Sequence, residues 1–309
     1  QSLLLQADTR LDAARLELAL QALLARHASL RLRFNREPDG RWTQAYGDAP
    51  EQACLWVCAA VGPTQVEALC EEAQRSLSIA QGRMVRALLI ELADGGSRLL
   101  LVVHHLAIDG VSWRVLLEEL QALYEGRKPP PVAGASYQAW VLRLQKYAQE
   151  QEGQLAYWRQ VCATPSALPC DHPDGASTMR ERASAGFKLD RAATDALLKQ
   201  APAAYRTQVN DLLLTALGRA LTAWSGLSSV LVDLEGHGRE ELSGDIDLSS
   251  TVGWFTSLYP VALNTDGDIG SALKRVKESL RSAPDKGLGF GALRYLADSN
   301  DPDALDLIQ

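Results

Sequence analysis

The sequence lacks the marks of a membrane-spanning, secreted or nucleic-acid-binding protein. Its longest apolar runs, such as 99–103, stop far short of the roughly 20 residues that cross a bilayer. The first residues show no basic stretch leading into a hydrophobic core, so neither secretion nor membrane attachment is expected. Positive charge is short as well: 31 Lys and Arg against 38 Asp and Glu give a net charge of −7. That is the wrong sign for neutralising phosphates, and no nucleic-acid partner is expected. The five cysteines (Cys54, Cys58, Cys70, Cys162, Cys170) are odd in number and contain no C-x-x-C pair, which reads as reduced thiols in a cytoplasmic protein. No Cys/His spacing fits zinc, no acidic loop fits an EF-hand and no G-x-S-x-G elbow occurs, so no metal site and no hydrolase elbow are expected.

What is present is a globular composition, 47% hydrophobic and 22% charged over 309 residues, enough for about two domains. The chain has no initiator Met, opens inside an apolar stretch and closes in an expected helix over 302–308. It reads as part of a longer polypeptide.

Apolar residues Leu16, Leu20, Leu23 and Leu24, with His27, mark one face of a helix that Asp12 is placed to cap, flanked by strands. A loop over 37–50 leads to another strand, a helix over 65–77 and strands over 84–92 and 98–104, joined by the hairpin-like Ala93-Asp94-Gly95-Gly96-Ser97. A helix over 113–124 ends before Gly126, and Lys128-Pro129-Pro130-Pro131 breaks the chain. Helices over 137–150 and 154–162 precede an irregular segment, 164–184. Further strands are expected over 185–189, 229–234 and 255–263, with helices over 191–201, 208–224 and 269–283. Alternating strands and helices in both halves indicate an α/β class, divided into a lobe of residues 1–163 with its connecting helices and a lobe of residues 164–309.

Three segments are candidates for chemistry. In His104-His105-Leu106-Ala107-Ile108-Asp109-Gly110-Val111-Ser112-Trp113, a buried strand runs through two histidines into a turn and a helix. Strand alternation would send the histidines to opposite faces, one toward a substrate and the other into packing. The helix start also directs unpaired N–H groups at this turn. Asp109 before Gly110 reads as a turn former in a structural ion pair. The second segment, Glu235-Gly236-His237-Gly238-Arg239-Glu240, ends another strand, with Asp233 and Glu235 on the face opposite Val232 and Leu234. It reads equally as a ligand site or as a solvated turn. The third is Val252-Gly253-Trp254-Phe255-Thr256-Ser257-Leu258-Tyr259-Pro260, whose residue types suit a packed strand. The late Gly287-Leu288-Gly289-Phe290-Gly291 lacks the Lys-Ser/Thr of a nucleotide loop and is rejected as one.

Taken in order, H-H-x-x-x-D-G-V-S-W, E-G-H-G-R-E and V-G-W-F-T-S-L-Y-P resemble the epimerization domain of nonribosomal peptide synthetases, a relative of their condensation domains. The resemblance runs along the whole chain. It implies two chloramphenicol-acetyltransferase-like lobes in a V shape, with the active site in the cleft between them. The implied substrate is an aminoacyl or peptidyl thioester on the 4'-phosphopantetheine arm of a carrier domain, with adenylation and condensation domains as neighbours and no cofactor of the chain's own. The implied reaction inverts the α-carbon from L to D. By the family pattern His105 and Glu235 are catalytic, and Arg239 pairs with Asp109. His104, Gly110, Ser112, Trp113 and His237 support the site, and Trp254, Phe255, Tyr259 and Phe290 are candidates for lining the cleft. Phe290 stands where the family often has Tyr. The family's first motif would precede Gln1, and an Asn-Tyr segment would follow Gln309. The rival readings are a condensation domain, which has no need of the glutamate run, and an inactive docking module.

Overall fold

The computed structural model describes residues 1–297 apart from 8, 49–52, 61, 94, 132–133, 166, 177, 241 and 243–245; the helix expected over 302–308 lies outside the described residues. Contacts divide the chain into two units, one of residues 1–143 with 237–256 and one of residues 144–236 with 257–309.

In the first unit, β1 (Ser2–Ala7) leads to α1 (Ala13–Arg26), where the Asp12 carboxylate accepts from Arg15 N–H at 2.8 Å as the helix cap. There follow β2 (Leu32–Arg36), β3 (Trp42–Tyr46), β4 (Leu55–Ala60), α2 (Pro63–Arg75), β5 (Val85–Leu92), β6 (Ser97–Val103), α3 (Gly110–Tyr124) and α4 (Tyr137–Gln149). Four strands form one sheet in the order β1-β6-β5-β4, antiparallel except for the parallel pair β4 and β5. Helices cover both of its faces. Leu89, Leu99 and Leu101 pack with Leu20 of α1 and Leu116 of α3, while Leu88, Ile90 and Leu100 pack on the other face with Ala73 of α2. Two dry faces remove the need for a polar alternate position, which is why 99–103 is apolar throughout.

Helices α1 and α3 are also joined by charge. Glu119 accepts from Arg26 Nε at 2.8 Å and lies 2.8 Å from His27 Nε2, with both His27 and Glu119 buried. Burial, the dominant influence, holds His27 below its ordinary value of 6.5 despite the carboxylate. Burial pushes Glu119 up, but the hydrogen bonds from Arg26 and His27 outweigh it and hold this carboxyl below its ordinary value. Both groups take up protons less readily folded than unfolded, so both have the same sign. Their stabilisation is complete above about pH 6.5 and is lost as the pH falls toward the lowered folded values. The thermal midpoint is therefore expected to fall as the pH drops below about 6.5, first through His27 and then through Glu119. A midpoint flat from pH 7 to 4 would contradict this.

The second unit contains α5 (Leu155–Cys162), α6 (Arg191–Asp195), α7 (Ala201–Tyr205), α8 (Val209–Ser225), the antiparallel pair β7 (Ser229–Gly236) and β8 (Ser257–Asn264), α9 (Ile269–Ser282) and α10 (Leu288–Leu296). Its core joins Val230, Val261 and Leu263 to Trp158 of α5, Val276 of α9 and Phe290 of α10.

Several elements differ from expectation. The loop expected over 37–50 contains β3, which pairs with β2 from Arg36↔Trp42 to Leu32↔Tyr46. No strand forms over 185–189, and Phe187 is 89% exposed. The segment has strand-like residues, but among the described residues no strand pairs with it to complete a ladder. The helix expected over 191–201 becomes α6, a π-helical turn Ala196–Gln200, and α7. Pro202, which has no N–H to return to the preceding turn, lies at the junction. The Ala93–Ser97 connection does join antiparallel β5 and β6, with Gly95 at φ +84°, while Asp94 lies outside the described residues. The sequence division fell between 163 and 164. By contact, residues 144–163 group with the second unit, where Trp158 is wholly buried, and 237–256 return to the first. Among the described residues, no helix is long and apolar enough to cross a membrane.

Candidate active site

The strand β6 ends at Val103, where the backbone changes direction. His104 N–H donates to Met84 O at 2.8 Å, and the His104 Nδ1 turns back to accept from Leu106 N–H at 3.2 Å, capping the short 3-10 turn His105–Ala107. His104 is half-buried, and burial is the main reason its pKa lies below 6.5. His105 is exposed, its ring 5.0 Å from that of Trp254 at an interplanar angle of 53°. The turn therefore separates the roles of the two histidines. Strand alternation, the expected cause, has ended one residue before them.

Asp109 caps α3 and is 1% exposed. Its Oδ1 accepts from Ser112 N–H at 2.8 Å, and its Oδ2 accepts from Phe255 N–H at 3.2 Å. Arg239 Nη2 donates to Oδ1 at 3.1 Å and to Oδ2 at 3.3 Å. The Ser112 hydroxyl lies 2.8 Å from Oδ1 and 3.0 Å from Gly253 O, and it accepts from Gly253 N–H at 3.2 Å. Arg239 Nη1 donates to the carbonyls of Thr251 at 2.7 Å and Leu248 at 2.8 Å, and its guanidinium lies 4.0 Å above the Phe255 ring. One buried ion pair thus ties the start of α3 to the two later motifs within the first unit. These partners occupy both oxygens of the Asp109 carboxylate, which makes it a structural group and not a reacting one.

Gly110 is exposed, and a Cβ there would meet open space. His237 Nδ1 accepts from Arg239 N–H at 3.0 Å, and its Nε2 lies 3.3 Å from Glu240, so it shapes the loop that carries Arg239. Of the four cleft candidates only Trp254 is exposed, at 41%. Phe255 is 4% exposed and packs edge-on against Tyr137, whose hydroxyl burial pushes up to about 12. Tyr259 and Phe290 belong to the core of the second unit, at 9% and 5%. All three rings are held in packing contacts. Tyr259 lies on β8 and Phe290 on α10, and both supply contacts to that core.

Glu235 lies near the end of β7 in the second unit, opposite Leu258, with an exposed side chain. Gly236 follows because a Cβ there would come within 2.6 Å of Ser257 Oγ. The first unit contributes a residue that sequence reasoning missed. Gln1 bridges two of the expected site residues, its Oε1 accepting from Trp113 Nε1–H at 2.7 Å and its Nε2 lying 2.9 Å from His105 Nε2. Only the pairing of β1 with β6, which continues to Gln1 and Val103, makes this contact between residues 104 apart visible.

The Condensation domain family model matches residues 1–309. A linear gramicidin synthase polypeptide of Brevibacillus parabrevis is 42% identical over 328 residues, covering 100% of this chain; the chain spans only 6% of that protein. Chondramide synthase of Chondromyces crocatus is 42% identical over 316 residues, covering 96% of this chain and 8% of that protein. The crystal structure of the epimerization domain from the third module of tyrocidine synthetase B matches with a TM-score of 0.91 and 32% identity, over 98% of this chain and 73% of that one. The first condensation domain of the calcium-dependent antibiotic synthetase matches with a TM-score of 0.71 over 92% of this chain and 68% of that one, at 21% identity, a likeness of fold.

Proposed function

Because the chain belongs to the condensation-domain family of nonribosomal peptide synthesis, we propose that it inverts the α-carbon of an aminoacyl or peptidyl thioester carried on the phosphopantetheine arm of a carrier domain. The observation that carries this reading over amide formation is the exposed Glu235 carboxylate at the end of β7, within a segment E-G-H-G-R-E that joining two carried substrates does not require. The 32% identity to an epimerization domain supports the same choice.

A thioester α-proton is far too weakly acidic for a carboxylate alone to remove at neutral pH. The charge that develops on the carbonyl oxygen must be met by a positioned donor as the proton leaves. Glu235 is the base: it accepts the α-proton while the C–H electron pair moves into the Cα–C bond and the carbonyl oxygen becomes an enolate. Once the enolate has turned its opposite face toward the Glu235 carboxylic acid, the proton held there, exchanged with solvent, returns to the α-carbon and completes inversion. His105, exposed at the turn before α3, is the second catalytic group.

The test loads an L-aminoacyl or peptidyl group on the cognate carrier in deuterated buffer and follows chirality and deuterium at the α-carbon. Solvent deuterium in D product is expected. An amide formed with a supplied acceptor, without exchange, would establish condensation instead. Neither signal, with the carrier competently loaded, would leave a docking module. His105→Ala should slow exchange by about 10²–10⁴-fold, the range for a positioned acid, base or donor. His104→Ala should chiefly lower the unfolding midpoint, since it removes the cap of the 3-10 turn. The reverse pattern would exchange their assignments.

A further inference from the structure

The bridge from Trp113 through Gln1 to His105 fixes which ring nitrogen of His105 carries the proton. An indole N–H can only donate, so the atom of Gln1 that lies 2.7 Å from Trp113 Nε1 must be the carboxamide oxygen. The reverse amide orientation would set donor against donor, so the usual ambiguity of a glutamine side chain is removed. The amide nitrogen then faces His105 Nε2 at 2.9 Å, and because it too can only donate, Nε2 must be the bare, accepting nitrogen. The ring proton lies on Nδ1. Trp254, packed 5.0 Å from the ring, limits its rotation out of this arrangement. Trp113 is itself 9% exposed and held in the core as part of α3, so the relay starts from a rigid group.

We infer that Gln1 is a positioning residue that holds His105 in the Nδ1–H tautomer, so that His105 meets its substrate as a hydrogen-bond donor and not as a base. Its use in catalysis rests on the function proposed above. There, the Nδ1–H would be the donor that the enolate oxygen requires, with Glu235 left to take the α-proton. In this state His105 donates a hydrogen bond and transfers no proton. The tautomer itself follows from Gln1 and Trp113 whatever the reaction.

The experiment labels the histidine rings of the full chain with ¹⁵N and reads the protonation of each nitrogen by NMR above the titration range. With five histidines in the chain, the signals can be assigned by substitution. His105 is expected to show a protonated Nδ1 and a bare Nε2. Gln1→Leu, which keeps the bulk and removes both polar contacts, should move the proton largely to Nε2. Gln1→Glu should do so more completely, since a carboxylate still accepts from Trp113 but now accepts from His105 as well. In the deuterium assay, Gln1→Leu should lower α-proton exchange by about 10–100-fold, as loss of the partner that orients a functional histidine does elsewhere. A protonated Nε2 in the unsubstituted chain, or a tautomer unmoved in both variants, would overturn the inference. If the tautomer moves as expected while exchange continues at its full rate, Gln1 still sets the tautomer, but the donor role given to His105 in the reaction is overturned.

Discussion

Glu235→Gln is expected to lower α-proton exchange by about 10²–10⁴-fold, the loss typical of a general base, while leaving the folding stability within about 0.5 kcal/mol of its original value. The two halves of this expectation have separate causes. The amide keeps the shape of the side chain, and the position is exposed near a strand end, so neither packing nor the β7–β8 ladder changes. What disappears is the only property the proposed reaction uses, a carboxylate oxygen that can accept a proton. Isotope exchange is the appropriate measurement because it registers proton removal even when product release limits overall turnover. Exchange at the original rate in a folded variant would remove Glu235 from the mechanism and leave the E-G-H-G-R-E segment with only its structural duty.

The largest effect on stability is expected at Asp109. Asp109→Ala leaves the Arg239 guanidinium, 7% exposed, without its anion, and breaking one side of a buried pair in this way costs about 3–5 kcal/mol. The same substitution removes the cap of α3 and the acceptor for Phe255 N–H, so the loss spreads across three segments of the first unit. Urea unfolding followed by tryptophan fluorescence reads the effect directly. Removing both charges as Asp109→Leu with Arg239→Met should recover much of the loss, because no charge is then left buried alone. Equal destabilisation in the single and double variants would show that the cap and backbone contacts, not the charge, carry the cost. Asp109→Asn retains the acceptor oxygen and should fall between the two.

Most of the local structure was legible because its causes are local. Asp12 before an i, i+4, i+7 apolar face announces a capped helix, and both strands of the Ala93–Ser97 connection could be read from their flanking apolar runs. The β2–β3 hairpin was missed although Asp39-Gly40 is a strong turn signal, with Gly40 at φ +87°. The Pro and Gly content of 37–50 made the segment read as a loop. The expected strand over 185–189 failed for the opposite reason, since residue preference says nothing about whether another edge is available. At the site, Asp109 and Arg239 could be read as partners from the family resemblance, and their 3.1 Å contact is what the fold produces. Gln1 was out of reach because its meaning lies in register with a strand about 100 residues away. Burial decided the rest: nothing in the motif around 252–260 distinguishes exposed Trp254 from buried Phe255 beside it.

The return of residues 237–256 to the first unit also affects synthesis on the ribosome. Asp109 is translated 130 residues before its cation. At elongation rates of about 5–20 residues per second, that gap is roughly 6–26 s. Throughout this interval the nascent N-terminal half carries a carboxylate at its future centre with no guanidinium to bind. Its sheet can assemble, but the seat of α3 cannot close. Vectorial folding of the two units, one finished before the other begins, is therefore not open to this chain. The early half is complete only once residues 237–256 have been made and pack against it.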